Sequence, residues 1–339
     1  MKHEPRLTVY TLKVKPKNAT IENSNRWLIR NIIGELNIED NIKDSYALAE
    51  LFKKFISSLD KPEMYSDDRT KKCITANQLN IGDSTVNPNI VLHTQKSIIE
   101  GTIEGGSYGR KRNKTNTGNK SIKSDVNESD AITEDFYFML YIPLQSNKMT
   151  LLLQSYSDDS IDTVMKKFWK NFLSSPPSFN QPTIKRFVPE SIIKDFKDNS
   201  SVSSLQFSSN IPGETLLEST HQSSNRNYKV TVQIIPSDDK FSLKEFEEKN
   251  EHIQKAYFTR LMNLGQFSKK KGVLVDNSTG KTSPFDLGTN FEIQPSILLS
   301  KYISINFDES DFERIRAYCF NLLESIKSEI YIQNAVQER

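Results

Sequence analysis

The amino-acid sequence predicts an α+β protein of two subdomains, each a mostly antiparallel sheet backed by helices. Three observations lead there. Two near-continuous apolar runs, residues 136–142 and 149–155, are separated only by residues 143–148, the length of a hairpin rather than of a crossover helix. Single amphipathic helices stand between groups of strand-like segments instead of alternating with them one by one, which disfavours a doubly wound parallel sheet. Ser174-Ser175-Pro176-Pro177 interrupts the pattern at mid-chain, and proline restricts the residue before it to extended conformations. This boundary, near Ser174–Pro182, divides the 339 residues into an N-terminal domain, 1–175, and a C-terminal domain, 182–339. Domains of roughly 100–200 residues fit that division.

In chain order, residues 6–14 alternate polar and apolar with the period of a half-buried strand. Trp27, Leu28, Ile32 and Ile33 share one helical face. Leu48, Leu51, Phe52, Phe55 and Ile56 share another, behind an Asp44-Ser45 cap. Short strands are expected near 72–81, 89–94 and 97–103. Residues 104–130 lose all apolar periodicity and are rich in Gly, Asn and Ser, which predicts a mobile basic insertion. After the two apolar strands, Ser160 is a natural N-cap for a helix whose stripe is Ile161, Val164, Met165, Phe168 and Phe172.

The second half opens with a strand over 183–188 and a short helix over 189–197. Residues 199–210 alternate, and 227–236 form a strand. Ser242 and Glu245 stand in capping-box spacing at the head of a helix expected to close at Gly265. Strands near 272–276 and 302–306 precede a long last helix, headed by Ser310 and Glu313 in the same spacing. Its apolar stripe, Phe312, Ile315, Cys319, Leu322, Leu323, Ile326 and Ile330, either packs on the chain's own sheet or, being longer than many helices of a domain need, supports self-association as a homodimer.

Charge narrows the functional classes. Lys plus Arg total 45 against 43 Asp plus Glu, a net charge of +2, so any nucleic-acid contact must come from local clusters. No run approaches the 18 or more apolar residues of a membrane span, and no apolar core follows the first residues, so a cytoplasmic protein without a membrane partner is expected. The two cysteines, Cys73 and Cys319, are too few for a disulfide framework and read as structural thiols.

No catalytic, metal or cofactor motif is complete. Gly280-Lys281-Thr282 resembles the end of a phosphate loop, but position 275 is Val where the motif needs Gly, and 276–280 reads as a hairpin turn. Gly105, Gly106 and Gly109 resemble a dinucleotide fingerprint with no helix behind it. Asp238, Asp239, Glu247 and Lys249 supply the letters of a metal-dependent nuclease, but Glu247 and Lys249 are two residues apart on a helix and diverge. His3, His93, His221 and His252 have no second histidine at ligand spacing.

Basic clusters remain. Arg110, Lys111, Arg112 and Lys114 crowd a glycine-rich loop beside Tyr108, Lys269, Lys270 and Lys271 crowd what reads as a loop after a helix, and Lys166, Lys167 and Lys170 lie near one helical face. Lysine and arginine on loops suit phosphate contacts, and a neighbouring tyrosine suits base stacking. The nucleic-acid-binding candidates are therefore Tyr108, Arg110, Lys111, Arg112, Lys114, Lys269, Lys270 and Lys271.

In layout, with twin apolar strands at 136–142 and 149–155, a strand at 228–235 and a long helix from Ser310, the chain resembles phage-exclusion and abortive-infection proteins of bacteria, the RexA type among them. The resemblance covers about half the chain and transfers no functional residue; this chain is longer and adds the basic segment. It implies phage defence in the cytoplasm and sequence-independent DNA binding. The expected function is a non-enzymatic nucleic-acid-binding component of a defence or regulatory system, beside a co-encoded defence protein. The alternatives are a toxin-like effector nuclease with an unrecognised active site and a protein-only sensor or assembly partner.

Overall fold

The computed structural model describes residues 3–34, 43–76, 79–81, 84–86, 89–212, 227–237, 241–255, 257–259, 262–277, 280, 282–287, 295–308 and 310–331. The architecture is α+β with antiparallel sheets throughout. The chain forms two compact units, Met1–Phe187 with Ser296–Arg339, and Val188–Pro295. The second unit is thus an insertion in the first, whereas the sequence placed one boundary near Ser174–Pro182 and gave the last helix to the C-terminal half.

The first unit is built on a sheet of β1 (Pro5–Lys13), β2 (Tyr65–Asp67), β3 (Lys72–Thr75), β6 (Ile90–His93), β7 (Ile98–Ser107), β10 (Ile132–Tyr141), β11 (Lys148–Tyr156), β12 (Thr183–Phe187) and β20 (Ile297–Leu298). The hairpins β4–β5 (Leu79–Ile81, Ser84–Val86) and β8–β9 (Arg112–Thr115, Lys123–Val126) stand off it. The strand order is β12-β1-β11-β10-β7-β3-β2, with β20 also on β1 and β6 also on β7. The expected hairpin between the apolar runs is present, with Tyr141 opposite Thr150 and Phe138 opposite Leu153.

Alternation along these strands sends side chains to two faces. Tyr10, Leu12, Phe136, Phe138, Leu140, Leu151 and Leu153 meet α1 (Asn25–Ile33), α2 (Asp44–Leu59) and α3 (Asp162–Leu173) in one core. There Phe55 stacks on Trp169 at 5.0 Å between ring centroids. Local chemistry sets the helix ends. The Ser24 hydroxyl accepts from Trp27 N–H, and Gly34 closes α1 at φ 85°. Arg26 grips the Asp44 carboxylate at 2.9 and 2.7 Å, tying α1 to the first turn of α2.

The other face carries Glu100, Tyr137, Thr150 and Gln154, all buried. The last helix, α6 (Ser310–Tyr331), is fastened there by polar groups. Arg316 Nε reaches Glu100 at 2.9 Å, where the carboxylate also accepts from Tyr137 Oη at 3.0 Å and meets His93 Nε2 at 2.9 Å. Thr150 Oγ1 meets Tyr331 Oη at 2.6 Å, and Lys148 Nζ donates to the Ile330 carbonyl at 3.1 Å. Ile315, Cys319, Leu322, Leu323, Ile326 and Ile330 are buried within the single chain, so the stripe expected to drive dimerisation is consumed by the protein's own fold. The side chain of Ser310 lies outside the described residues.

The second unit has a sheet in the order β14 (Asn227–Ile234), β13 (Ser200–Pro212), β18 (Lys269–Asp276), β19 (Thr282–Asp286), with β15 (Phe241–Ser242) also on β13. One core joins the sheet's Val202, Leu205, Phe207, Leu274 and Phe285 with Phe196 of α4 (Glu190–Asp198) and Leu243 and Phe246 of α5 (Leu243–Gln254). The Ser242–Glu245 capping box forms as expected.

Three expected elements differ. The α5 helix ends at Gln254 rather than Gly265, because Tyr257–Thr259 and Met262–Asn263 pair as the short hairpin β16–β17. Residues 302–306 alternate but follow a 3-10 turn at Leu299–Lys301 without joining a ladder. Residues 104–107 continue β7 rather than opening a loop. Among the described residues, no helix is long and apolar enough to cross a membrane.

Candidate nucleic-acid interface

The segment that lacks apolar periodicity folds as a two-stranded ribbon. At its base, Gly106 sits so close to β10 that a Cβ would meet the Ile132 carbonyl oxygen at 1.9 Å. Gly109, at φ +84°, then turns the chain off the sheet, its N–H donating to the Glu128 carbonyl at 2.8 Å. Arg112 pairs with Val126, Asn113 with Asp125, Lys114 with Ser124 and Thr115 with Lys123. The Asn116 N–H donates to the Ile122 carbonyl at 3.1 Å and continues this register by one step.

The turn is held by asparagine side chains. Asn116 Oδ1 accepts from Gly118 N–H at 2.8 Å and Asn119 N–H at 3.0 Å, and Asn119 Oδ1 accepts from Ser121 N–H at 3.0 Å. Composition alone did not mark strands in this stretch: Asn, Gly and Ser supply turn hydrogen bonds here, and the two strands pair through their backbones.

Gly109 through Asp125 are exposed. Between Tyr108 and Ser124 the sequence has six basic residues, Arg110, Lys111, Arg112, Lys114, Lys120 and Lys123, and no Asp or Glu. None of the six pairs with a carboxylate among the described residues. The register puts Arg112 and Lys114 on one face of the ribbon and Lys123 on the other. Lys120 and Lys123 lie outside the cluster that the run of cations marks; the turn signal Asn116-Thr117-Gly118-Asn119 is what puts them across the turn from it.

The other expected site residues sit differently. Tyr108 is at the ribbon's base, its hydroxyl donating to Asp68 Oδ1 at 2.9 Å and its ring 5.3 Å from the Lys71 ammonium. Lys269, Lys270 and Lys271 belong to strand β18 rather than to a loop, opposite Ser208, Phe207 and Gln206. Strand alternation separates them: Lys269 and Lys271 are exposed together, and Lys270 faces the other way, half-buried. On α3, Lys167 is bound to Asp67 at 2.9 Å and Lys166 lies over the Tyr10 ring at 4.9 Å.

The enzyme-like fragments are separately accounted for. Gly105 and Gly106 are strand residues between β3 and β10. Gly280, at φ +68°, donates to the Asp276 carbonyl at 2.7 Å in the turn joining β18 to β19; Lys281 lies outside the described residues. Glu247 pairs with Lys197 at 2.6 Å, while Asp238, Asp239 and His221 lie outside the described residues. His3 stacks on Tyr156 at 4.0 Å between ring centroids, and its Nδ1 meets Asp158 at 2.9 Å. His252 is exposed. Cys73 and Cys319 are buried free thiols, and burial raises both away from the thiolate form. Among the described residues, no group of three or more His, Cys, Asp or Glu is arranged to hold a metal ion.

Compared with protein-family models, with curated proteins and with solved structures, the chain matches none.

Proposed function

We propose that this protein is a non-enzymatic nucleic-acid-binding component of a bacterial phage-defence or regulatory system, and that the β8–β9 ribbon is its principal contact. One observation carries the reading: six exposed basic side chains, none paired with a carboxylate among the described residues, on a ribbon whose segment from Tyr108 to Ser124 contains no acid. A net charge of +2 gives the whole chain little attraction for phosphates, so this concentration of charge matters. The major groove of a duplex admits a two-stranded β-ribbon as a unit, and some β-ribbon proteins use the minor groove. Lys269 and Lys271 supply a second, smaller patch on the other unit. The defence setting rests on the resemblance of layout alone.

The test is binding measured against salt. Each phosphate contact contributes about −0.9 to the log–log slope on duplex DNA. Replacing Arg110, Lys111, Arg112 and Lys114 with Gln should flatten the slope by about three to four units and weaken all sequences alike. The unfolding free energy should stay within about 0.5 kcal/mol, since the substituted side chains are exposed. A slope unchanged by the four substitutions would remove the ribbon from the interface.

A further inference from the structure

The ribbon carries one side chain that its charge does not explain. Ile122 is 59 % exposed beside the turn, between Lys120 and Lys123 in sequence. Its backbone is held, with N–H donating to the Asn119 carbonyl at 3.1 Å and C=O accepting from Asn116. The strand register extends to Asn116 and Ile122, so Ile122 shares a face with Ser124 and Val126, and across the ribbon with Lys114 and Arg112. One face thus carries Arg112 and Lys114 on one strand, Val126 at its base and an exposed branched aliphatic group at its far end. From Arg112 to the level of Ile122 is four residues, about 13 Å.

Ile122 is the one apolar side chain of the turn, and its place at the tip of a basic ribbon is what sets it apart from the chain's other exposed apolar side chains. Every other side chain from Asn116 to Lys123 is polar, apart from Gly118. In nucleic-acid recognition an aliphatic tip has a defined use. Basic elements that enter the minor groove insert Ile, Leu, Met, Phe or Pro between base pairs, unstack one step and kink the duplex. Single strands are instead held by aromatic platforms on which free bases stack. The nearby aromatic, Tyr108, is tied to Asp68 and covered by Lys71 at the ribbon's base.

Building on the nucleic-acid reading above, we infer that the ribbon enters the minor groove of duplex DNA and that Ile122 wedges into a base step and bends the helix. Arg112 and Lys114 hold phosphates on the approach. Flexible pyrimidine–purine steps are favoured, because they cost least to unstack. Sequence preference then arises from deformability, without hydrogen bonds to bases.

The experiment uses the full chain and a duplex of about 30 base pairs with a donor and an acceptor dye at its ends and 2-aminopurine beside a central TA step. Wild-type protein should bring the ends closer, by a kink within the roughly 20–90° range of wedge proteins, and raise the 2-aminopurine emission. Ile122→Ser should keep the wild-type salt slope, since every cation remains, yet lose both signals. Ile122→Phe should keep them. Duplex bound with the same bend and emission by wild type and Ile122→Ser would overturn the wedge while leaving the binding reading intact. So would duplex bound by wild type without any bend. Absence of duplex binding by wild type at low salt would overturn the binding reading, and the wedge with it.

Discussion

At the scale of single residues, buried charges decide where α6 begins. Asp311 lies in its first turn, with a carboxylate that accepts from the N–H groups of Asn306 at 3.0 Å and Phe307 at 2.7 Å and binds Arg314. Burial works to raise this carboxyl, but those donors outweigh it and hold it below the usual aspartate range. A carboxyl lowered in the folded state contributes stability above its unfolded value, near pH 3.9, and that contribution is lost as the pH falls through this range. Asp311→Asn should therefore lower the urea midpoint at pH 7 and lie closer to wild type at pH 3, where the contribution has begun to be lost. A gap of equal size at both pH values would show that the charge is not the source. Phe307, at φ 61°, is carried in the left-handed region by the same anchor.

At the scale of elements, α6 shows that an apolar stripe leaves its partner open until the fold is known. The sequence contains the stripe but not what it meets. In the structure it meets the face of the sheet that carries Glu100, Tyr137 and Thr150, the last two on strands that read as near-continuous apolar runs. Leu323 is fully buried in that layer. Leu323→Ala should cost about 2–5 kcal/mol, the range for a leucine truncated in a packed core. The loss should not depend on protein concentration, because the stripe packs within one chain. A midpoint that rises with concentration would instead indicate an interface between copies. The ribbon makes the opposite case: its residues were recognised as basic and exposed, while its strand character was hidden because neither strand has an apolar side to alternate.

At the scale of the whole molecule, the second unit is inserted between two strands of the first, β12 and β20, that pair along one edge of β1. Val9 pairs with Phe187 of β12 and Leu7 with Ile297 of β20, so the chain leaves and re-enters the first unit two positions apart along one strand. Within the first unit, Arg186 Nη2 donates to Ser296 Oγ at 3.1 Å, between the end of β12 and the start of β20. Removing residues 188–295 and closing the gap with about four Gly and Ser residues, which span up to about 13 Å, should leave the first unit folded. The shortened protein should unfold in one cooperative transition and keep the ribbon's share of the salt dependence. Failure to fold would show that the first unit needs the insertion.

Local chemistry alone determined a good part of this protein. The twin strands of β10–β11, the stripe of α3, the Ser242–Glu245 capping box and the Arg110–Lys114 cluster were legible because a period of two, a period near 3.6, a side-chain cap and a run of cations are properties of neighbours in sequence. The return of residues 296–331 to the first unit was decided only by tertiary structure, as was the in-chain partner of the α6 stripe. So were the division of Lys269–Lys271 between two faces of β18, the anchoring of Tyr108 and the alignment of Ile122 with Arg112 and Lys114. Each of these depends on pairing between residues far apart in the chain or across a turn. Such pairing is selected by burial and hydrogen bonding summed over a whole sheet, and no window of neighbouring residues contains that sum.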